Sequence, residues 1–204
     1  MRHVLALICI TGIAVQTAAA QASSPPPGVG RAIQMPDTMG ANFNVADSAT
    51  ATSLPDDFDF MVGVWVFKFQ QRRPDGTFNP PFNGHWIFEK KRSSGAFIED
   101  HWRGDSPGQT WDDGTWSYRT YNPQRKIWEM VGVNTGAGAW QPGLMWRAGD
   151  DRLVTEWYGP NVLVRFRYFA IQPNHFLWRA DRSTDHGKTW IRDWWTMDVT
   201  RVAR

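Results

Sequence analysis

From Leu54 onward, apolar and polar residues alternate along the chain with a period of two, and no long window shows helical spacing. Successive side chains on a strand point to opposite faces, so this pattern predicts strands that bury one face. β-branched and aromatic residues fill the runs, as on half-buried pleated surfaces. Turn-forming clusters separate them: Pro74-Asp75-Gly76, Ser93-Ser94-Gly95, Asp112-Asp113-Gly114, Asn122-Pro123, Gly149-Asp150-Asp151, Gly159-Pro160-Asn161, Gln172-Pro173-Asn174 and Asp185-His186-Gly187. About ten strands fit between these clusters, near 58–70, 83–92, 96–103, 114–121, 126–134, 143–148, 152–158, 162–171, 175–183 and 189–201. Connections this short make successive strands antiparallel neighbours. The expected fold is therefore all-β, an up-and-down meander closing into a barrel, because closure removes exposed edges. A two-sheet sandwich is the alternative.

The alternation also assigns faces. Val162, Val164, Phe166 and Tyr168 form one apolar set; Phe176, Trp178 and Ala180 form a second; Ile191, Trp195, Met197 and Val199 form a third. Each set is expected to point inward, since a small barrel fills its lumen with side chains or one ligand. Arg165, Arg167 and Arg179 then face solvent.

The N-terminus reads differently. Arg2 and His3 precede an apolar stretch from Val4 to Val15, and Ala18-Ala19-Ala20 supplies small residues before Gln21. This is the layout of a secretory signal over residues 1–22. The apolar run is too short to span a bilayer, which needs roughly 20 such residues. Residues 23–54, opened by Ser23-Ser24-Pro25-Pro26-Pro27-Gly28, are expected to be a flexible linker that buries too little apolar surface to offset its ordering entropy. The barrel domain is then 55–204, and the protein is expected to be periplasmic or secreted, with no membrane association once the signal is removed.

Composition narrows the chemistry. The single cysteine, Cys9, lies inside the signal, so the mature chain would have neither disulfide nor thiolate nucleophile. The net charge is +2 with both signs interspersed, and no basic stripe suggests a nucleic-acid partner. There is no Gly-rich phosphate loop, no nucleophile elbow and no tight histidine pairing among His85, His101, His175 and His186. Neither a cofactor nor a metal is expected.

The stretch Asp57-Phe58-Asp59-Phe60-Met61-Val62-Gly63-Val64-Trp65 resembles the first strand of lipocalin-like (calycin) barrels, marked by Gly-x-Trp. The layout of residues 55–204 is similar to secreted bacterial lipocalin-like domains of unknown function. The resemblance implies that Trp65 closes one end of the barrel. It also implies that a basic residue of the last strand, here Arg201, lies across the Trp65 ring, with Gly63 beside it. A second motif, Ser183-Thr184-Asp185-His186-Gly187-Lys188-Thr189-Trp190, matches the Asp-box of sialidase-like propellers. One copy without blade-length repeats argues against a propeller. Asp185, Gly187 and Trp190 are instead expected to build a structural hairpin turn.

Three functions remain open. The first is an extracytoplasmic binding protein for a small apolar or aromatic molecule, with Trp86, Trp102, Trp116, Tyr118, Trp128, Phe166 and Trp178 as candidate wall residues. The same rings could merely fill the core. The second is a cofactor-free lyase, isomerase or cyclase using acid–base groups, with Glu99, His101, Glu129 and Glu156 as candidates. Each carboxylate alternates with apolar neighbours, and Glu99 shares a strand face with His101. The competing reading makes them solvent-facing or buried ion-pair partners of arginines such as Arg119 and Arg147. The third is carbohydrate binding by a row of tryptophans outside the barrel.

Overall fold

The structure is a computed structural model that describes residues 52–90, 96–105, 108, 113–135 and 138–202. The signal segment and nearly all of the linker lie outside the described residues. Ten strands follow one another: β1 (Gly63–Gln71), β2 (Phe82–Lys90), β3 (Phe97–Gly104), β4 (Thr115–Asn122), β5 (Ile127–Asn134), β6 (Ala139–Ala148), β7 (Asp151–Trp157), β8 (Leu163–Gln172), β9 (His175–Ser183) and β10 (Ile191–Arg201). Each pairs antiparallel with its chain neighbours, and β10 returns to β1, so the meander closes into a barrel. The sandwich alternative is excluded. Among the described residues there is no α-helix, only a 3-10 turn at Asp59–Met61.

The first strand starts at Gly63, later than the alternation suggested. Asp57-Phe58-Asp59-Phe60 mimics a strand, but the acids serve a turn. Asp57 is buried, accepts the Leu54 N–H at 2.6 Å, and faces Arg152 at 3.3 Å and Arg147 at 3.5 Å. Phe58 and Met61, three residues apart, both enter the core. The packed chain also begins slightly before the expected boundary. Ser53 is buried, donates its N–H to the Lys126 carbonyl at 2.9 Å and accepts the Tyr121 hydroxyl at 2.9 Å. Composition cannot register such backbone contacts.

This turn plugs one end of the barrel. Trp65 is fully buried there and donates its indole N–H to the Met61 carbonyl at 2.7 Å. The Arg201 guanidinium lies 4.0 Å above the Trp65 ring and donates to the carbonyls of Pro173, Val62 and Phe60 at 2.8, 2.7 and 2.9 Å. It thereby joins the last strand to the plug by a cation–π contact and three charge-assisted hydrogen bonds. Gly63 has φ of +139°, and a Cβ there would run into that guanidinium. Any side chain there would have to displace the guanidinium from the Trp65 ring and adopt a strained backbone.

The second inner set stands as the alternation assigned it, and the first does except for half-buried Val162, which precedes β8; Val164, Phe166, Tyr168, Phe176, Trp178 and Ala180 are all buried. The third set breaks at Ile191, which is exposed. The β9–β10 register shifts between Ile191 and Trp195, and Asp193 adopts φ of +50°. Two extra residues on β10 keep the parity, so Ile191 stays on the side of its partner Arg182 but is exposed at the start of the strand, while Trp195, Met197 and Val199 share the inner side.

Candidate functional site

Above the plug, the lumen wall is aromatic. Phe166 and Trp178 stack at 4.9 Å, Phe67 and Trp102 stack at 5.1 Å, and Trp86 stands edge-on to Trp178 at 6.4 Å. Close-packed rings of this kind are held by burial plus quadrupole geometry. Gly84 faces inward opposite Phe67 and yields its side-chain space to that ring.

One polar layer crosses this aromatic interior. Asp100 comes from β3, Ser117 and Arg119 from β4, Glu156 from β7 and Tyr168 from β8; all five are buried. Arg119 forms an ion pair with Asp100, whose other oxygen accepts the Trp86 indole N–H at 2.6 Å. The Arg119 guanidinium also lies 5.5 Å from the Phe88 ring centre and hydrogen-bonds Tyr168. Burial holds the Arg119 guanidinium below its ordinary value and pushes the Tyr168 phenol up to about 12, with Arg119 opposing the latter. Burial pushes Glu156 up to about 7, against the opposing pull of Arg119 and a hydrogen bond donated by Tyr158. Tyr158 is 37% exposed, so it joins Glu156 to solvent at the end opposite the plug. The site can therefore hold or release a proton near neutral pH and can oppose a charged or hydrogen-bonding ligand group.

The structure redistributes the sequence candidates. Glu156 lies in the lumen. Glu99 and His101 share a face, but it is the outer one, because Ile98, Asp100 and Trp102 are the inward residues of β3. His101 is covered by stacking on Trp116 at 4.1 Å, and its Nε2 donates to the Asp113 carbonyl at 2.9 Å. Glu129 also faces outward, where Arg125 donates to it at 2.7 Å and Asn122 at 3.2 Å. Trp86, Trp102, Phe166 and Trp178 line the lumen. Trp128 is inward but belongs to the plug, packed on Phe58 at 5.5 Å and donating to the Leu54 carbonyl at 2.9 Å. Trp116 and Tyr118 are corrected to the outer face, as β4 turns Ser117 and Arg119 inward. Outside, Trp116 and Trp140 are separated by Val133 across the paired strands, so they form no continuous tryptophan row.

Asp100, Arg119 and Tyr158 were not singled out as site residues. The signal for Asp100 was its shared parity with Ile98 and Trp102. Arg119 shares parity with Ser117 and Tyr121, which gives no apolar cue. Among the described residues, no group of three or more histidines, cysteines or acids is placed to hold a metal. His85 pairs with Asp105 at 3.0 Å and His175 with Asp198 at 2.8 Å, both on the outside.

The β9–β10 connection, at the end away from the plug, carries the Asp-box turn. Asp185 accepts the Thr189 N–H at 2.9 Å and hydroxyl at 2.7 Å, bonds that hold its carboxyl down at about 2. Gly187 takes φ of +81°, and Trp190 donates to its carbonyl at 3.0 Å beneath the Arg165 guanidinium. The side chains of Ser183, Asp185, Thr189 and Trp190 all bond within the turn.

No protein-family model matches the chain, and no curated protein matches it. Among solved structures, the chain is similar to an S-type phycobiliprotein lyase from Guillardia theta, with 12% identity over 79% of this chain and 98% of that one and a TM-score of 0.54. It also matches a protein described as EF1p2_mFAP2b bound to DFHBI, at 13% identity over 74% and 100% of the two chains, TM-score 0.33. A third match is a protein of unknown function from the DUF3598 family of Nostoc punctiforme, at 9% identity over 74% and 100%, TM-score 0.26. The first likeness speaks for the barrel fold alone.

Proposed function

We propose that this is an exported, lipocalin-like barrel that holds a small, largely aromatic molecule in its lumen. The observation that carries the reading is the wall of Trp86, Trp102, Phe166 and Trp178 set around a single buried polar layer. Ligand sites have this make-up, mostly apolar with a few convergent polar groups. A barrel filled only for stability has no use for Arg119 and Glu156, since taking charges out of water is costly. Buried ionisable groups with displaced titration concentrate at functional sites. Export rests on Arg2-His3, the apolar run and Ala18-Ala19-Ala20. N-terminal sequencing of material recovered outside the cytoplasm should read Gln21 or Ser23 as its first residue. A start at Met1 would remove the export reading.

Tryptophan fluorescence tests the lumen. An uncharged naphthalene probe, 1-naphthylmethanol, should quench emission saturably. Trp178→Ala should weaken its binding roughly 10- to 100-fold, the loss expected when one large ring leaves an apolar wall. Trp116→Ala, on the outer face, should leave affinity unchanged. Equal effects of the two substitutions would place the probe outside the lumen and sink the proposal.

Glu156 supports a second reading, proton-transfer catalysis without a cofactor. A carboxyl titrating near 7 can accept and return a proton at working pH. In this reading Glu156 replaces the Glu99–His101 pair, and Tyr158 holds it in place.

A further inference from the structure

We propose that the half of the lumen away from the plug selects organic cations, and that a positively charged nitrogen on an aromatic frame sits between the Glu156 carboxylate and the Tyr158 and Trp195 rings. The inference rests on the lumen reading above and adds the charge of the occupant.

The charge inventory of the polar layer leads to it. Asp100 and Arg119 satisfy one another, and Trp86 completes Asp100. Glu156 is the acid left over. Its partner is the Tyr158 hydroxyl, while a carboxylate has about four acceptor sites. Its stem lies over Gly143, and its strand neighbours across the wall are Gly143 on β6 and Val164 on β8, neither of which brings charge. The remaining groups facing this region are also accounted for. Arg119 on β4 reaches Glu156 only as a nearby charge already tied to Asp100, and Tyr168 on β8 hydrogen-bonds Arg119. Arg182 on β9 holds its guanidinium 5.2 Å from the Trp194 ring centre.

Aromatic rings supply the second half of a cation site. Tyr158 and Trp195 stand 6.0 Å apart at the end away from the plug, with Phe69 6.2 Å from Trp195. Ring faces attract a desolvated ammonium through their quadrupoles, and aromatic cages use this to bind quaternary and alkylated ammonium ions. A buried neighbouring carboxylate adds direct attraction that is stronger than the same pair would have in water. An anionic ligand would meet the opposite situation. It would be repelled by ionised Glu156 and would find Arg119 already engaged. A neutral ligand gains the rings alone.

The test compares three probes of one shape by fluorescence titration at pH 8: 1-naphthylmethylammonium, 1-naphthylmethanol and 1-naphthoate. The ammonium should bind at least tenfold tighter than the alcohol, and the carboxylate should bind weakest. The preference should shrink as pH falls to 5.5 and Glu156 takes up a proton. Glu156→Gln should erase the preference while leaving the alcohol within a few fold. Glu129→Gln, outside the barrel, should leave the whole series as it is. Equal affinity for ammonium and alcohol, or tightest binding of naphthoate, overturns the inference and leaves the lumen reading standing. Failure of all three probes to bind overturns both. If Glu156→Gln does not fold, the probe series and its pH dependence on the unaltered protein decide alone.

Discussion

Replacing Arg119 by Met should destabilise the barrel by about 3–5 kcal/mol, while replacing Arg119 by Met and Asp100 by Leu together should cost much less. The single change leaves the Asp100 carboxylate in the lumen facing Trp86 and no cation. Removing one member of a buried pair exposes the full desolvation cost of the other, whereas removing both removes that cost. The double variant should still fall short of the parent. The Trp86 indole N–H loses its acceptor, and an unsatisfied buried donor costs about 1–3 kcal/mol. Urea denaturation of the parent, both single variants and the double closes a thermodynamic cycle that isolates the coupling. A double variant as unstable as the sum of the singles would mean that Asp100 and Arg119 do not depend on one another.

The strand pattern was legible because a barrel imposes the simplest sequence code, one face in and one face out, punctuated by turns. All ten strands lie within a few residues of where alternation and turn clusters put them. What alternation could not settle is which face is inner when both look alike. On β3, Phe97, Glu99 and His101 are no less apolar than Ile98, Asp100 and Trp102. Pairing with β2 decides it, by setting Asp100 opposite Phe88 and Trp102 opposite Trp86. The outer side looks internal because His101 is covered by Trp116. Glu129 misled for a related reason. Its neighbour Ile127 packs with Leu144 and Trp146 in an apolar cluster on the outside of the barrel. Glu156 was readable because it alternates with Val154 and Tyr158 along one face of its strand. Arg119 was legible only as an ion-pair partner of some carboxylate, because an inward arginine contradicts the rule that marks inward residues, and the buried acid on the next strand makes it tolerable.

Stability should decline as pH rises from about 4.5 to about 7, and Glu156 should be the cause. Its folded-state value is raised from 4.5 to about 7 by burial. Between those values the folded protein keeps a proton that the unfolded chain releases, so the unfolded state binds fewer protons and unfolding becomes easier as pH rises. The sign is opposite to that of a paired surface acid. Asp185, held at about 2 by its turn, contributes stability that is present above the ordinary carboxylate range and is lost only as pH falls toward 2. The two windows do not overlap, so the Glu156 effect can be read cleanly. At 1.36 kcal/mol per pKa unit, the contribution lost across its window is about 3 kcal/mol. Glu156→Gln removes the ionisable group but keeps its shape and a hydrogen bond to Tyr158. The variant should therefore gain on the parent by about that amount between pH 4.5 and pH 8. Denaturation midpoints measured for both proteins at half-unit pH steps supply the comparison. Parallel profiles would mean that Glu156 ionises in the fold as it does in water. In that case the charge that the cation-selective lumen is built around would cost nothing to bury, and the aromatic rings alone would have to choose the ligand.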